Sequence, residues 1–282
     1  SVAPMMGVTT SSARYMYRLI SSEAILFTEM IASQALYKGD YKKLLKKQSL
    51  ETPVILQVGG SDPELLKHST ELANNLNFQG INLNVGCPSK KVSQGKMGAC
   101  LMKEADTVYQ CVSSMIKESS IDVSVKCRIG VDEFESYEFF KNFISTVAES
   151  GCNLFFIHAR KAFLKGLDPK KNRTLPELKY KYVHQIKKEF PQLNIIINGG
   201  LTSFDSCKNQ LDIVELKTGK RLRIEDHRQL FIYRLLLSDW IRRREREGSD
   251  PIEVTTCLLS SYDGTSSPAR ADGAFAEVLG AR

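Results

Sequence analysis

Cys87 is the residue whose type and position most suggest chemistry, because it stands in a turn directly after a strand-like stretch. Residues 81–85 alternate apolar and polar side chains as a buried strand does, and Gly86 and Pro88 end that strand. In parallel α/β proteins, ligands bind at this end of the sheet. A thiol there can transfer a proton, and Asn84 can hydrogen-bond an amide-like ring. A small buried hydrophobe in a tight turn explains the same stretch, so two interpretations stay open.

The elements that would position these residues alternate between strands and helices. Apolar runs predict strands at residues 2–5, 24–28, 53–58, 80–85, 122–126, 153–158 and 194–198. Segments of helical period lie between them, two of which begin at a capping pattern in residues 61–64 and at Ser136. This alternation is typical of βαβ units and a parallel sheet. Seven such units predict an α/β fold of the (β/α)8 TIM barrel type, incomplete or altered at its eighth unit.

Polar residues at the predicted strand ends could bind a planar ring and a phosphate. Gln57 and Asn198 carry amides that suit the edge of a flavin or a pyrimidine. Lys126 and Arg128 lie two apart on one strand, and their charge would stabilise a reduced, anionic flavin or a phosphate. The glycines at 199–200 leave backbone N–H groups accessible to a phosphate. Each residue has a structural explanation by itself, but together they indicate a site at one mouth of the barrel.

Composition limits the class of protein. The 282 residues, 42% apolar and 25% charged, suit one large or two smaller soluble domains. We expect no membrane partner, because no apolar run approaches the roughly 18 residues that cross a bilayer. Any targeting peptide would lie outside this sequence. The seven cysteines include no C-x-x-C pair. They argue against disulfides and a metal site, and favour the cytoplasm or another reducing compartment.

The net charge of +7 indicates an anionic partner. Six basic residues crowd one short segment: Arg160, Lys161, Lys165, Lys170, Lys171 and Arg173. By itself this charge run favours a solvated basic surface over a phosphate-binding one.

Seven stretches of the chain resemble the tRNA-dihydrouridine synthases, and specifically their A-type branch. In family order they are Ala3-Pro4-Met5-Met6, Thr28-Glu29-Met30, Leu56-Gln57-Val58-Gly59-Gly60, Asn82-Leu83-Asn84-Val85-Gly86-Cys87-Pro88, Val125-Lys126-Cys127-Arg128-Ile129-Gly130, Ile157-His158-Ala159-Arg160-Lys161 and Ile197-Asn198-Gly199-Gly200. The resemblance covers about residues 1–206, and its most specific part is the Asn-x-Gly-Cys-Pro stretch.

The resemblance implies an FMN enzyme that uses NADPH as a transient reductant and reduces uridines of tRNA to dihydrouridine, with no obligate protein partner. Reduced flavin would give hydride to C6 of the uracil, and Cys87 would protonate C5. Asn84 and Arg128 would hold the flipped-out base. Arg160, Lys170 and Arg173 would contact tRNA phosphates. The implied flavin contacts are Pro4, Met5, Met6, Gln57, Lys126, His158, Asn198, Gly199 and Gly200.

The resemblance stops near residue 206, where the family's eighth strand and its Gly-Arg phosphate site are absent. Residues 207–248 are similar to a fragment of a RecB-like PD-(D/E)xK nuclease, through Glu215 with Lys217 and through Gln229 with Tyr233. A nuclease of this type needs a further acidic residue upstream to share its metal with Glu215. The upstream motifs of that family are absent from this chain, so we expect no cleavage. The segment could equally supply a substitute eighth unit. Residues 249–282 predict a disordered tail. The alternative functions are an inactive tRNA- or DNA-binding protein and a metal-dependent DNA nuclease.

Overall fold

The computed structural model describes residues 1–201, 206, 207 and 210. The predicted nuclease-like pair Glu215 and Lys217 and the predicted tail lie outside the described residues. The strands are β1 Leu26–Phe27, β2 Ile31–Ala32, β3 Val54–Gly59, β4 Gly80–Val85, β5 Asp122–Arg128, β6 Leu154–His158 and β7 Asn194–Asn198. The α-helices are α1 Ser11–Ile20, α2 Ser33–Lys38, α3 Tyr41–Leu44, α4 Pro63–Asn75, α5 Lys90–Gln94, α6 Ala105–Glu118, α7 Tyr137–Ala148, α8 Lys171–Thr174 and α9 Tyr180–Glu189. Two 3-10 helices span Ser49–Glu51 and Gly98–Lys103.

The described strands form one parallel sheet that follows the order of the chain. β1 and β2 both pair with β3, after which β4, β5, β6 and β7 follow in sequence. The register places Asn84 beside Lys126, and Arg128, His158 and Asn198 side by side on three successive strands. Side chains from four strands therefore lie in two successive rows near the carboxyl ends.

The sheet curls, as a barrel requires. Phe27 on β1 and Phe156 on β6 pack edge to face, with ring centroids 5.1 Å apart. Neighbouring strands are spaced by about 4.8 Å, so four strand intervals in a flat sheet would separate these rings by about 19 Å. Their contact confirms the predicted parallel α/β sheet curled toward a TIM barrel. The predicted eighth unit falls, apart from residues 207 and 210, outside the described residues.

The interior changes character along the strands. Inside the barrel, Phe27, Ile55 and Phe156 form an apolar floor, with Ile25, Leu154 and Ile196 packed against it. Two residues further along three of the strands, the inward side chains become Gln57, His158 and Asn198, all buried. The barrel thus has an apolar floor and a polar layer near its mouth.

Helices that cover the outside bury the apolar faces expected from the sequence. Asp62 caps α4 by accepting hydrogen bonds from the N–H groups of Glu64 and Leu65. Pro63 occupies the first helical position, where its missing N–H costs no hydrogen bond. Ser136 caps α7 in the same way. Among the described residues, none of the helices combines the length and the hydrophobicity of a membrane span.

The sequence predicted five strands correctly to within two residues at either end, and it located β1, which is only two residues long. The prediction of a strand at residues 2–5 is wrong. One bond joins Val2 N–H to the carbonyl of Ile25 at 2.9 Å, and Pro4 has no N–H with which to continue a ladder. The short strand β2 was not predicted.

Candidate active site

Cys87 lies half-buried in a turn directly after β4, at the mouth of the barrel. The side-chain oxygen of Asn84 accepts hydrogen bonds from the N–H groups of Gly86 and Cys87, at 3.1 and 2.9 Å. The carbonyl of Cys87 accepts from the N–H of Ala99 at 2.9 Å. The turn is therefore fixed from both sides, and the thiol is presented at a defined place.

Gly98 packs against this turn so closely that no larger residue fits. Its φ is +75°, and a β-carbon there would lie 2.5 Å from the Cys87 carbonyl oxygen and 3.2 Å from the Cys87 β-carbon. Both the backbone conformation and the close approach require glycine. Gly98 was not predicted from the sequence, although a Gly-x-Cys-Leu segment soon after Cys87 offered a signal.

The thiols elsewhere in the barrel suit packing rather than proton transfer. Burial raises the pKa of Cys127 and of Cys111 to about 12, and that of Cys152 to about 11. These thiols stay protonated inside the protein. Among the described cysteines, only Cys87 and Cys100 are half-buried rather than buried, and Cys100 donates to the carbonyl of Met97. This contrast favours Cys87 as the reacting thiol.

A row of polar side chains crosses the barrel beneath Cys87. The amide of Asn84 donates to the side-chain oxygen of Gln57 at 3.0 Å, and Gln57 donates to Asn82 at 2.8 Å. Asn82 in turn donates to the hydroxyl of Ser124 at 3.0 Å. Asn84 and Gln57 were predicted site residues, whereas no role was predicted for Asn82 or Ser124.

His158 occupies the polar layer with an unsatisfied nitrogen. The residue is 5% exposed, and its Nε2 has no hydrogen-bond partner among the described residues. Burial, followed by the charges of Arg128 and Lys126, holds the pKa of His158 well below its ordinary value, so the ring is neutral at pH 7. A buried nitrogen without a partner costs free energy unless a ligand supplies one. This atom therefore fits a polar cofactor edge.

The neighbours of His158 complete a cradle for a planar group. Lys126 donates to the side-chain oxygen of Asn198 at 3.5 Å. Gly199 has a φ of +98°, and a β-carbon there would lie 2.4 Å from the His158 ring. Gly200 has a φ of +68° and packs in the same way against Leu178. The predicted glycines are thus required by close packing around the site.

The predicted flavin contacts at the amino terminus, Pro4, Met5 and Met6, are less buried than the residues of the polar layer. Met5 bonds through its backbone N–H to the hydroxyl of Thr9 at 3.1 Å, and Pro4 is half-buried. Met6 is 71% exposed. Contact of these three residues with a flavin stays a prediction.

Arg128 is buried and binds backbone. Its guanidinium donates to the carbonyls of Gly86 at 2.9 Å, Lys161 at 3.1 Å and Asn172 at 3.0 Å. Asn172, which was not predicted from the sequence, is also fully buried. Its side-chain oxygen accepts from the N–H of Phe163 at 2.8 Å, and its side-chain nitrogen donates to the carbonyl of Phe163 at 2.9 Å. Arg128 thus ties the Cys87 turn to the segment after β6. Its predicted contact with a base stays a prediction.

The basic segment follows β6 and flanks the site. Lys165, Lys170 and Lys171 are exposed, and Arg173 is half-buried. Arg173 and Arg160 add to the charges that lower the pKa of His158. Lys161 pairs with Glu135 at 2.7 Å, and Arg160 donates to the carbonyl of Pro176. The exposed lysines leave positive charge at the mouth of the barrel.

Comparison with known proteins identifies the family of this chain. A family profile described as dihydrouridine synthase matches residues 1–216. The tRNA-dihydrouridine(20/20a) synthase of Synechocystis sp. is 42% identical, over 94% of this chain and 84% of its own length. The proteins of the same name from Yersinia pestis and Vibrio cholerae are 48% and 49% identical over 75% of this chain. The chain spans 61% and 64% of those two relatives. Since the profile covers most of the chain, including the Cys87 turn and the polar layer, the chain belongs to the dihydrouridine synthase family.

Proposed function

We propose that this chain is an FMN-dependent oxidoreductase that reduces uridines of tRNA to 5,6-dihydrouridine. The observation that carries the proposal is the juxtaposition of a half-buried thiol, Cys87, with a buried polar layer that contains an unpartnered imidazole nitrogen, His158 Nε2. Such a layer suits a planar polar cofactor, and the thiol beside it suits proton donation.

The residues that would hold FMN are those whose polar atoms converge on the mouth. His158 and Lys126 would contact the polar edges of the ring system, and Gln57 and Asn198 would add amide contacts. The backbone of Gly199 and Gly200 would lie against the phosphate side. Pro4, Met5 and Met6 would cover the opposite side. Bound FMN, once reduced by NADPH, would supply the hydride for C6 of the uracil.

Two features of the chain suit the transfer of a proton and the stabilisation of negative charge. Cys87 would deliver its proton to C5 as a neutral acid, so it carries no charge beside the ring before the transfer, and the thiolate left behind would take a proton back from solvent. Lys126 keeps a positive charge within reach of the same site, and His158 stays neutral because its pKa is lowered. A fixed cation favours an anionic reduced ring.

The tRNA would bind over the mouth, with its target uridine turned out of the base stack. Asn84 and Arg128 would contact that base, while Arg160, Lys170 and Arg173 would meet phosphates. The names of the relatives specify positions 20 and 20a, and we propose the same positions for this chain. Residues 1–206 would form the FMN barrel.

The decisive experiment combines absorbance with a tRNA assay. The purified protein is mixed with FMN and then NADPH, and unmodified tRNA is added afterwards. We expect flavin bands that bleach with NADPH and return with tRNA, and dihydrouridine mapped to positions 20 and 20a by nuclease digestion and mass spectrometry. Protein that binds no FMN at any concentration would refute the proposal, and the tRNA- or DNA-binding alternative would replace it.

The nuclease alternative depends on Glu215 and Lys217. The alignment with the Synechocystis relative covers 94% of this chain, a share that residues 1–206 alone could not supply. That coverage favours a substitute eighth unit at residues 207–248. We expect no DNA cleavage with Mg²⁺ or Mn²⁺, and cleavage that is lost in Glu215→Ala would contradict this expectation.

A further inference from the structure

Four buried polar side chains form one continuous hydrogen-bonded chain from β5 to the Cys87 turn. They are, in order, Ser124, Asn82, Gln57 and Asn84, joined at 3.0, 2.8 and 3.0 Å. Asn84 then accepts from the N–H of Cys87 at 2.9 Å. We call these four residues the amide chain. It connects the interior of three strands to the residue proposed as the acid.

The amide chain can run in only one direction. At one end, the Ser124 hydroxyl donates to the carbonyl of Ile81 at 3.3 Å, and a carbonyl cannot donate in return. The Ser124 oxygen therefore accepts from Asn82, and each following amide has to present its nitrogen to the oxygen before it. At the other end, the Asn84 oxygen meets two backbone N–H groups, which cannot accept. Both ends thus demand the same orientation of every amide.

A reversed Asn84 would be costly. Its NH₂ group would face the N–H groups of Gly86 and Cys87, which would leave several buried donors without acceptors. Packing alone does not require this arrangement, because an apolar side chain at 82 or 124 would avoid burying polar atoms. Asn82 is fully buried, and both the oxygen and the nitrogen of its side chain are hydrogen-bonded within the amide chain.

We propose that Asn82 and Ser124 are positioning residues for the reaction. They fix the orientation of Gln57 and Asn84, and Asn84 fixes the backbone of the Cys87 turn. The inference deepens the proposed function and rests on it for the activity measurement, but the position of the Cys87 thiol can be measured without FMN or tRNA.

The test uses the full chain with Asn82→Leu, Ser124→Ala and a matched control. The control is Thr70→Val, which removes another buried hydroxyl, bonded only to the carbonyl of Leu66 in α4 at 2.9 Å. The alkylation rate of Cys87 by iodoacetamide is followed by peptide mass spectrometry, with Cys100 as the internal reference. Flavin reduction by NADPH and reoxidation by unmodified tRNA are measured separately.

We expect Asn82→Leu to raise the alkylation rate of Cys87 about fivefold relative to Cys100, as loss of a buried hydrogen bond would allow. Reoxidation by tRNA should slow about tenfold or more, because a misplaced acid transfers its proton poorly. Flavin reduction by NADPH should slow less than reoxidation by tRNA, because Gln57 is only one of several residues proposed to hold FMN. Ser124→Ala should show the same signs with smaller changes, and Ser124→Thr, which keeps the hydroxyl, should restore the wild-type rates.

Two results would overturn the inference. The first is a Cys87 alkylation rate in the variants equal to that of wild type and Thr70→Val. The second is loss of flavin binding with unchanged alkylation, which would assign Asn82 to the cofactor instead. If Asn82→Leu does not fold, Ser124→Ala decides between these outcomes. If wild type binds no FMN but the variants still alter Cys87 alkylation, the proposed function fails while the positioning role stands.

Discussion

The floor and the mouth of the barrel are built by the same strands, only two residues apart, yet they obey different rules. The floor is apolar and closes through the contact of Phe27 with Phe156. The layer at the mouth is also buried but polar: Gln57 has hydrogen-bond partners, whereas His158 Nε2 has none among the described residues. Burial therefore does not separate structure from function in this protein. The state of the hydrogen bonds does, because an unsatisfied buried atom in an otherwise satisfied layer indicates a place for a ligand.

Cys87→Ala should show the largest effect and act at the mouth only. We expect kcat for tRNA to fall by about 10²–10⁴-fold, the usual contribution of a general acid. FMN binding and the thermal midpoint should stay within error, and Cys100→Ala should leave kcat unchanged. Steady-state assays with unmodified tRNA measure the loss, and equal losses in both variants would contradict the assignment of the acid.

Phe156→Ala should act at the floor. Removal of this ring leaves a cavity against Phe27 and should cost about 3–5 kcal/mol in the free energy of unfolding. Denaturant unfolding measures the change. At a temperature where the variant is still folded, kcat for tRNA should fall less than in Cys87→Ala, and a larger fall would break the distinction between floor and mouth.

A comparison of Gly98→Ala with Gly166→Ala separates the effect of a steric contact with Cys87 from the effect of an unfavourable backbone φ. Both glycines have positive φ, at +75° and +82°, but only a β-carbon at Gly98 would meet other atoms within 4 Å. Each variant should lose about 1 kcal/mol or more from the unfavourable φ. Gly98→Ala should in addition slow reoxidation of the flavin by tRNA about tenfold through displacement of Cys87. Similar kinetics in the two variants would show that the contact with Cys87 has no catalytic consequence.

The smallest expected effect is the contribution of His158 to the pH dependence of the free energy of unfolding. Its pKa is lowered in the folded protein by burial and by neighbouring cations, so below about pH 6.5 the unfolded chain binds more protons than the folded one. The free energy of unfolding should then fall as the pH decreases, by at most about 1.4 kcal/mol per pH unit from this residue. Thermal midpoints from pH 7.5 to 5.5 should decline less steeply in His158→Gln. Parallel declines would place the titrating group elsewhere.

Local patterns predicted most of the fold and the position of the site. Alternating apolar runs located the strands, and the residues at their ends located Cys87, Lys126, His158 and Asn198. The direction of the Arg128 side chain could not be predicted, since its acceptors are carbonyls far away in the chain. Asn82 and Gly98 were missed for a related reason. The structural role of each residue depends on a contact with another segment of the chain. The spacing of residues within one strand does not reveal such a contact. Residues 2–5 were wrongly predicted as a strand because the segment is apolar. Pro4 lacks the N–H that pairing with a neighbouring strand requires.

Arg128 gives the site a mechanical property. One guanidinium holds the carbonyl of Gly86, beside Cys87, and the carbonyls of Lys161 and Asn172, in the segment that carries the exposed lysines. Neither segment can shift without lengthening bonds to the same group. A polyanion that binds these lysines, as proposed for tRNA, would therefore act on a segment bonded to the same guanidinium as the turn of Cys87, so binding of the nucleic acid and placement of the proposed acid would be coupled.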